Sequence, residues 1–167
     1  MPGRCHTAHH VENAHLNGSP TAKVLFRVPD GEGGADVETL WAVPLGEDRY
    51  QLANSPFYAY DVSWEDIVLA PFSDTEGMPT FGSVAVKSGN RTIRIICEPP
   101  VASGNASDAV VQGLVLLGCS YEGANACYLS VNIPATVDLQ AVCAYLIRHE
   151  VQWEHADPSY NAIYPEG

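Results

Sequence analysis

Residues 88–96, Ser-Gly-Asn-Arg-Thr-Ile-Arg-Ile-Ile, mark the point at which the pattern of this 167-residue chain changes. Before this stretch, short apolar runs alternate with Gly- and Pro-containing turns, and no helical spacing appears. The turn 88–90 then opens into an apolar strand, and strand and helix patterns alternate after it. We therefore predict two structural halves, a β-rich subdomain over residues 21–90 and an α+β subdomain over residues 91–157.

The first half contains five runs with strand character, at residues 23–28, 37–43, 49–52, 67–70 and 83–87. Closely spaced strands without helices are typical of a small barrel or a strongly curled sheet, so we predict a barrel-like half. In the second run, Glu38, Leu40 and Ala42 share one face, and Trp41 lies on the other. We expect Trp41 to anchor the core of this half.

The second half shows the order strand, helix, strand, strand, helix, strand. These predicted elements lie at 93–98, 109–117, 119–122, 127–133, 139–150 and 151–154. This order predicts a ferredoxin-like βαββαβ unit, with two helices on one face of a four-stranded antiparallel sheet. The alternative is one continuous curled sheet with two helices packed on it. The fold class is α+β in both cases.

Both ends of the chain are predicted as tails, residues 1–20 as a flexible segment and residues 158–167 as a C-terminal tail. The first is rich in histidine, with His6, His9, His10 and His15. These side chains can bind a metal opportunistically, but their spacing matches no structural zinc site. We therefore predict neither a metal nor a cofactor.

The charge balance excludes some partners. With 8 Lys+Arg against 20 Asp+Glu, the net charge is −12, whereas proteins that bind nucleic-acid backbones gather cations. An acidic surface favours solubility or a basic protein partner. No apolar run approaches the roughly 20 residues that span a bilayer, and the five cysteines form no C-x-x-C motif. We expect a cytoplasmic protein that binds neither nucleic acid nor membrane.

Several separated motifs resemble one known family. They are 24–28 (VLFRV), 38–42 (ETLWA), 50–57 (YQLANSPF), 66–68 (DIV), 88–94 (SGNRTIR), 131–134 (VNIP) and 153–158 (WEHADP). In this order they resemble the bacterial family called domain of unknown function 4265, over about residues 23–157. The resemblance implies a small bacterial protein, and it brings no activity, cofactor or catalytic residue with it.

A ligand site is predicted where the two halves meet. Arg91 and Arg94 are rare cations, and guanidinium groups suit anionic ligands. On a regular strand the two side chains point to opposite faces, and they approach one anion only if Arg91 belongs to the turn. Tyr58, Tyr60 and Trp153 are aromatic candidates for the walls of such a cleft. The blander interpretation is that the arginines pair with surface acids and the aromatics fill the seam.

No catalytic residue can be assigned from the sequence. The carboxylates Glu38, Asp61, Glu65 and Asp66 include close neighbours that could serve as an acid and a base, but Asp at turns commonly caps backbone groups. A late cluster, His149, Glu150, His155 and Asp157, lacks the spacing of a helical metal site. Neither a G-x-S-x-G elbow nor a phosphate-binding loop is present.

These observations lead to a functional hypothesis and two alternatives. The hypothesis is a non-enzymatic protein-binding module, immunity-like or regulatory, whose acidic surface engages a partner. The first alternative is a small-molecule enzyme or ligand sensor with an anion-binding cleft between the halves. The second is a homodimer that uses a sheet edge or an apolar face.

Overall fold

A computed structural model describes residues 18–29 and 31–166 of the chain. The predicted flexible segment 1–20 lies outside the described residues except for 18–20. Its histidines, His6, His9, His10 and His15, are all outside them.

The first half forms a five-stranded antiparallel sheet. Its strands are β1 (Ala22–Pro29), β2 (Ala35–Gly46), β3 (Arg49–Leu52), β4 (Ile67–Leu69) and β7 (Ser83–Val86), in the order β1-β2-β3-β4-β7. The sheet is open and amounts to a half-barrel. A short hairpin, β5 (Phe72–Ser73) and β6 (Met78–Pro79), lies between β4 and β7 in sequence. The sequence patterns did not predict this hairpin.

Trp41 is not a core residue, and this prediction was wrong. Its side chain is 46% exposed, and the Lys23 ammonium lies over its ring at 4.6 Å. The core side of β2 is instead occupied by Leu40 and Ala42. The alternation of the strand decides which side chain is buried, and the size of the Trp41 ring does not override it.

The second half contains a four-stranded antiparallel sheet in the order β11-β8-β10-β9. Its elements are β8 (Arg91–Ile96), α1 (Ala106–Leu116), β9 (Ser120–Gly123), β10 (Tyr128–Ile133), α2 (Leu139–Arg148), β11 (Gln152–Asp157) and α3 (Tyr160–Ile163). The chain order up to β11 follows the sequence-based pattern. The helix α3 lies in the segment that we predicted as a C-terminal tail.

Local signals explain where the two longer helices begin and end. The Asn105 carboxamide accepts from the Asp108 N–H at 2.9 Å at the start of α1, and Asp138 does the same for Gln140 at the start of α2. After α1, Gly118 adopts a φ of +104°, which favours glycine over residues with a side chain.

The second sheet has one apolar and one polar face. Ile93, Ile95, Leu129, Val131 and Ile133 pack against α1 and α2. The opposite face carries Thr92, Arg94, Ser130 and Asn132, all of which are buried. Thr92, Arg94 and Ser130 find hydrogen-bond partners in the first half, at Ser63, Ala59 and Pro56. The carboxamide of Asn132 is buried without a hydrogen-bond partner.

Candidate functional site

The two halves meet at the linking loop, residues 53–66, which connects β3 to β4. On the side of the first sheet, the carboxylate of Glu38 accepts three consecutive backbone N–H groups. They belong to Phe57, Tyr58 and Ala59, at 2.6, 3.0 and 2.9 Å. Glu38 lies on the same face of β2 as the core residues, so its buried charge needs these donors.

On the side of the second sheet, side chains donate to the carbonyl groups of the same loop. The Tyr128 hydroxyl donates to the Phe57 carbonyl at 2.5 Å, and the Ser130 hydroxyl donates to the Pro56 carbonyl at 2.8 Å. Burial raises the pKa of Tyr128 to about 12, so this phenol stays protonated and remains a donor. The loop is therefore held from both sides through its backbone.

Arg94 completes the contact between the halves. It is 1% exposed, and its Nη1 donates to the Ala59 carbonyl at 2.8 Å. Its Nε donates to Glu154 at 2.9 Å, and its guanidinium lies 4.5 Å from the centre of the Tyr60 ring. The Tyr60 hydroxyl donates to the other oxygen of Glu154 at 2.9 Å. The charge of Arg94 is thus balanced within the protein.

The structure brings together three of the five predicted ligand-binding residues. Tyr58, Tyr60 and Arg94 line one cleft of about 530 Å³, together with Tyr128 and Glu154.

Two of the predicted residues lie elsewhere. Arg91 belongs to the regular part of β8, so its side chain leaves from the opposite face and donates to the carbonyls of Pro134 and Val137. The spacing of three residues between Arg91 and Arg94 therefore separates them, as it does on any regular strand. Trp153 lies on the helix side of the sheet and lines a different groove.

A second polar cluster joins the halves at Lys87. Its ammonium donates to Asp66 at 2.7 Å and to Asp157 at 2.6 Å. Asp66 also accepts the backbone N–H groups of Ser63 and Ser88 at 2.9 and 2.7 Å. Asp66 therefore has the capping role that its position at a turn suggested.

This cluster is not arranged for nucleophilic catalysis. Burial by itself lowers the pKa of Lys87, but the hydrogen bonds and negative charges of Asp157 and Asp66 outweigh it, and the net result is a pKa above the usual 10.5. A lysine that holds its proton is a poor general base. The hydroxyl of Ser63, which donates to Asp157 at 2.5 Å, is fully buried and out of reach of a substrate.

The raised pKa of Lys87 predicts a loss of stability in alkali. The folded state binds this proton more tightly than the unfolded state, so the contribution is complete below pH 10.5 and is lost as the pH rises through the folded pKa. Urea unfolding across this range should show a steeper alkaline decline for the natural protein than for Lys87→Met. The exposed Lys23→Met serves as the control, and equal alkaline slopes for all three proteins would refute the prediction.

A large groove lies between α2 and α3 and crosses the edge strand β11. Its volume is about 910 Å³, and its apolar lining consists of Tyr60, Leu139, Cys143, Ile147, Trp153, Tyr160, Ile163 and Tyr164. Ile147 is 66% exposed, and the rings of Tyr160 and Tyr164 contact each other at 4.8 Å. Apolar side chains are thus concentrated on an accessible concave surface.

The polar part of this groove is acidic. Asp61 and Glu154 line it, and the lining contains neither lysine nor arginine. His155 is at its base, where its ring contacts Trp153 at 4.8 Å. Burial lowers the pKa of His155 below 6.5, so this side chain is neutral at physiological pH. Because Glu154 is paired with Arg94, the uncompensated negative charge of the groove comes from Asp61, beside aromatic walls.

Comparison with known proteins identifies the family. The family model described as "Domain of unknown function (DUF4265)" matches residues 38–156. The chain belongs to the DUF4265 family. The DUF4265 chain is also similar to a solved structure described as "Novel crystal structure of a hypothetical protein from Neisseria gonorrhoeae". That match has 20% identity and a TM-score of 0.71, and it covers 83% of this chain and 96% of that one. It shows a shared fold. No curated protein matches the chain.

Two signals for the groove of this DUF4265 protein were present in the sequence but were not used. In the sequence, Ile147 continues the apolar helical spacing of Leu139 and Cys143, yet this apolar stripe is wider than the core that it covers, and Ile147 remains exposed. Tyr160 and Tyr164 are four residues apart, which is the spacing of one helix face. We had predicted their segment as a tail.

Residues 18–29 and 31–166 of the DUF4265 protein contain neither a metal cluster nor a membrane-spanning helix. No three His, Cys, Asp or Glu side chains in these ranges lie close enough together to hold a metal ion. Within the same residues, no helix is both long and apolar enough to cross a membrane. The late cluster is dispersed, since His149 contacts Tyr145, His155 lines the groove and Asp157 binds Lys87.

Proposed function

We propose that this protein is a non-enzymatic binding module that holds an apolar, positively charged segment of a partner protein in the groove between α2 and α3. The observation that carries the proposal is the composition of the groove. Exposed aromatic and aliphatic side chains line it, and its ionised side chains are acidic. We place this immunity-like or regulatory role in the cytoplasm, which the free thiols of Cys97, Cys119, Cys127 and Cys143 support.

The two parts of the groove contribute differently to binding. Apolar surface removed from water stabilises a complex by about 25 cal/mol per Å², and buried aromatic side chains dominate interface energies. The carboxylate of Asp61, within a chain of net charge −12, favours cationic segments and repels acidic ones, whereas the charge of Glu154 is offset by Arg94. The charge of Asp61 acts chiefly on the association rate and on the choice of partner.

Capture from a lysate of the source cells, followed by native mass spectrometry, tests this function. We compare the natural protein with Ile147→Asp, which places a charge on the wall of the groove, and with Leu116→Asp. Leu116 is 89% exposed at the end of α1 and does not line the groove, so it is the matched control. We expect Ile147→Asp to weaken the affinity for the partner at least about tenfold, which is equivalent to roughly 1.4 kcal/mol of binding free energy.

The identity of the captured protein is a second criterion. A stoichiometric partner with a basic apolar segment, retained by Leu116→Asp and lost by Ile147→Asp, supports the proposal. Equal retention by both variants places the interface elsewhere on the surface, and a partner whose bound segment is acidic contradicts the charge argument.

A ligand sensor or small-molecule enzyme is the second candidate, and the cleft at Tyr58, Tyr60 and Arg94 favours it. Glu154 already balances the charge of Arg94, so the cleft has no excess positive charge to attract a simple anion. It suits a polar ligand that contacts both the Arg94 guanidinium and the Glu154 carboxylate. The same mass spectra distinguish the two candidates. If the natural protein retains a small molecule, and this molecule is lost from Arg94→Met but kept by Ile147→Asp, the binding site is the cleft.

For the second half we propose the ferredoxin-like arrangement. The strand order β11-β8-β10-β9, antiparallel throughout, supports it, as does the packing of α1 and α2 on one face. We also propose that the two halves, residues 21–90 and 91–157, are the structural subdomains of the chain. A homodimer remains an alternative, and the mass of the protein before capture tests it directly.

A further inference from the structure

Two free cysteines lie opposite each other where β8 and β10 end. Ile96 pairs with Tyr128 in the ladder, so the next position places Cys97 opposite Cys127. The Cys97 N–H donates to the Cys127 carbonyl at 2.7 Å, which confirms the continued register. By the alternation of the strands, both side chains leave from the helix side of the sheet.

The register brings the two thiols close to disulfide geometry. Opposite residues of an antiparallel pair have Cβ atoms about 4.5 to 5.5 Å apart, and a disulfide requires about 3.5 to 4.5 Å. Because the Cys97 N–H bonds to the Cys127 carbonyl, the two residues form the wider, hydrogen-bonded type of pair, and a disulfide requires the Cβ atoms to approach by about 1 Å at the end of the ladder. There the Cys127 N–H donates to the Asn125 side chain instead of the neighbouring strand. Burial and then the charge of Cys127 raise the pKa of Cys97, in keeping with the proximity of the two sulfur atoms.

The two cysteines differ in access to solvent. Cys97 is 4% exposed and packs in the core beneath the helices, whereas Cys127 is only partly buried at the turn. A small oxidant in solution therefore reaches Cys127 first. Cys97 is positioned behind it to resolve an oxidised sulfur.

We propose that Cys97 and Cys127 form an oxidisable thiol pair that a hydroperoxide converts to a cross-strand disulfide. The Cys127 thiolate attacks the distal peroxide oxygen, so an S–O bond forms, the O–O bond breaks and the alcohol or water leaves with a proton. The Cys97 sulfur then attacks Cys127, an S–S bond forms, and the S–O bond breaks. Hydroxide leaves and takes up the thiol proton of Cys97 as water. The two thiols lose two electrons, which the peroxide gains.

The disulfide closes a loop that contains α1 and β9 and fixes the β9–β10 turn to the end of β8. Restricting the unfolded chain in this way raises the melting temperature, by on the order of 5–10 °C for a chain of this size. Neither cysteine lines the groove between α2 and α3, so the pair is independent of the proposed function.

The test treats the full chain with hydrogen peroxide and maps its thiols by mass spectrometry after digestion without reductant. The expected product is an intramolecular Cys97–Cys127 bridge that dithiothreitol removes, together with the raised melting temperature. Cys127→Ser should leave Cys97 reduced, and Cys97→Ala should leave Cys127 as a sulfenic acid that dimedone traps. Cys119→Ser is the control. Cys119 is buried directly before β9, and its replacement should not affect the bridge.

The proposal is overturned if the natural protein keeps both thiols reduced. It is equally overturned if Cys127 proceeds to sulfinic acid without bridging, or if the bridge joins either residue to another cysteine. These outcomes are read from the natural protein itself, so they do not depend on whether a variant folds.

Discussion

Glu38→Ala is expected to lower the free energy of unfolding by about 3 to 6 kcal/mol, because it leaves three backbone N–H groups without an acceptor. Each costs roughly 1 to 3 kcal/mol, with the part-buried groups of Phe57 and Tyr58 at the low end and that of the buried Ala59 at the high end. Water cannot replace the carboxylate easily, since Ala59 is buried and Glu38 itself is 8% exposed. Urea unfolding, followed by tryptophan fluorescence and circular dichroism, measures this loss.

Two further variants make the Glu38 result specific. Glu38→Gln preserves the shape but offers only one acceptor oxygen, so its stability should fall between those of the natural protein and the alanine variant. Asp74→Ala removes an exposed acid between β5 and β6 and should change the stability by less than about 0.5 kcal/mol. If Glu38→Ala costs no more than Asp74→Ala, the carboxylate does not hold the linking loop.

Asp66→Ala is expected to lower the free energy of unfolding by about 3 to 5 kcal/mol. The side chain is fully buried, and it accepts from the N–H groups of Ser63 and Ser88 as well as from Lys87. The loss should come mainly from the two orphaned N–H groups, because the half-exposed Lys87 keeps Asp157 as a partner.

A double-mutant cycle separates these two contributions. If the backbone groups dominate, Asp66→Ala in a Lys87→Met background should cost nearly as much as it does alone. A cost that largely disappears in this background would instead assign the effect to the ion pair. The same equilibrium unfolding experiment provides both values.

The sequence predicted most of the fold because the strands and helices are encoded locally. The alternation in β2 and β3 and the caps Asn105 and Asp138 are visible in short windows. The helix α3 and the β5–β6 hairpin were missed, because four-residue and two-residue elements carry little periodic signal. For Trp41, strand parity decides burial, and the ring stays 46% exposed.

The candidate sites were only partly predictable. Lys87 meets Asp66 and Asp157 across 21 and 70 residues of sequence, and such pairings depend on how the two sheets are placed. Glu38 did offer a local signal, since an acid between apolar neighbours on the inward face of a strand requires buried donors. The groove required α2, β11 and α3 to be assembled, and α3 was not expected.

The linking loop is held through its backbone N–H and carbonyl groups. Its position therefore depends little on which side chains it presents at the surface. Glu38 and Tyr128 recognise N–H and carbonyl groups that every residue except proline supplies in full. At position 58, where the tyrosine side chain is 53% exposed beside the cleft, a substitution other than proline keeps the backbone hydrogen bond and loses only the stacking of the ring on Tyr128. Evolution or a protein engineer can change what this surface recognises there while the scaffold beneath stays the same.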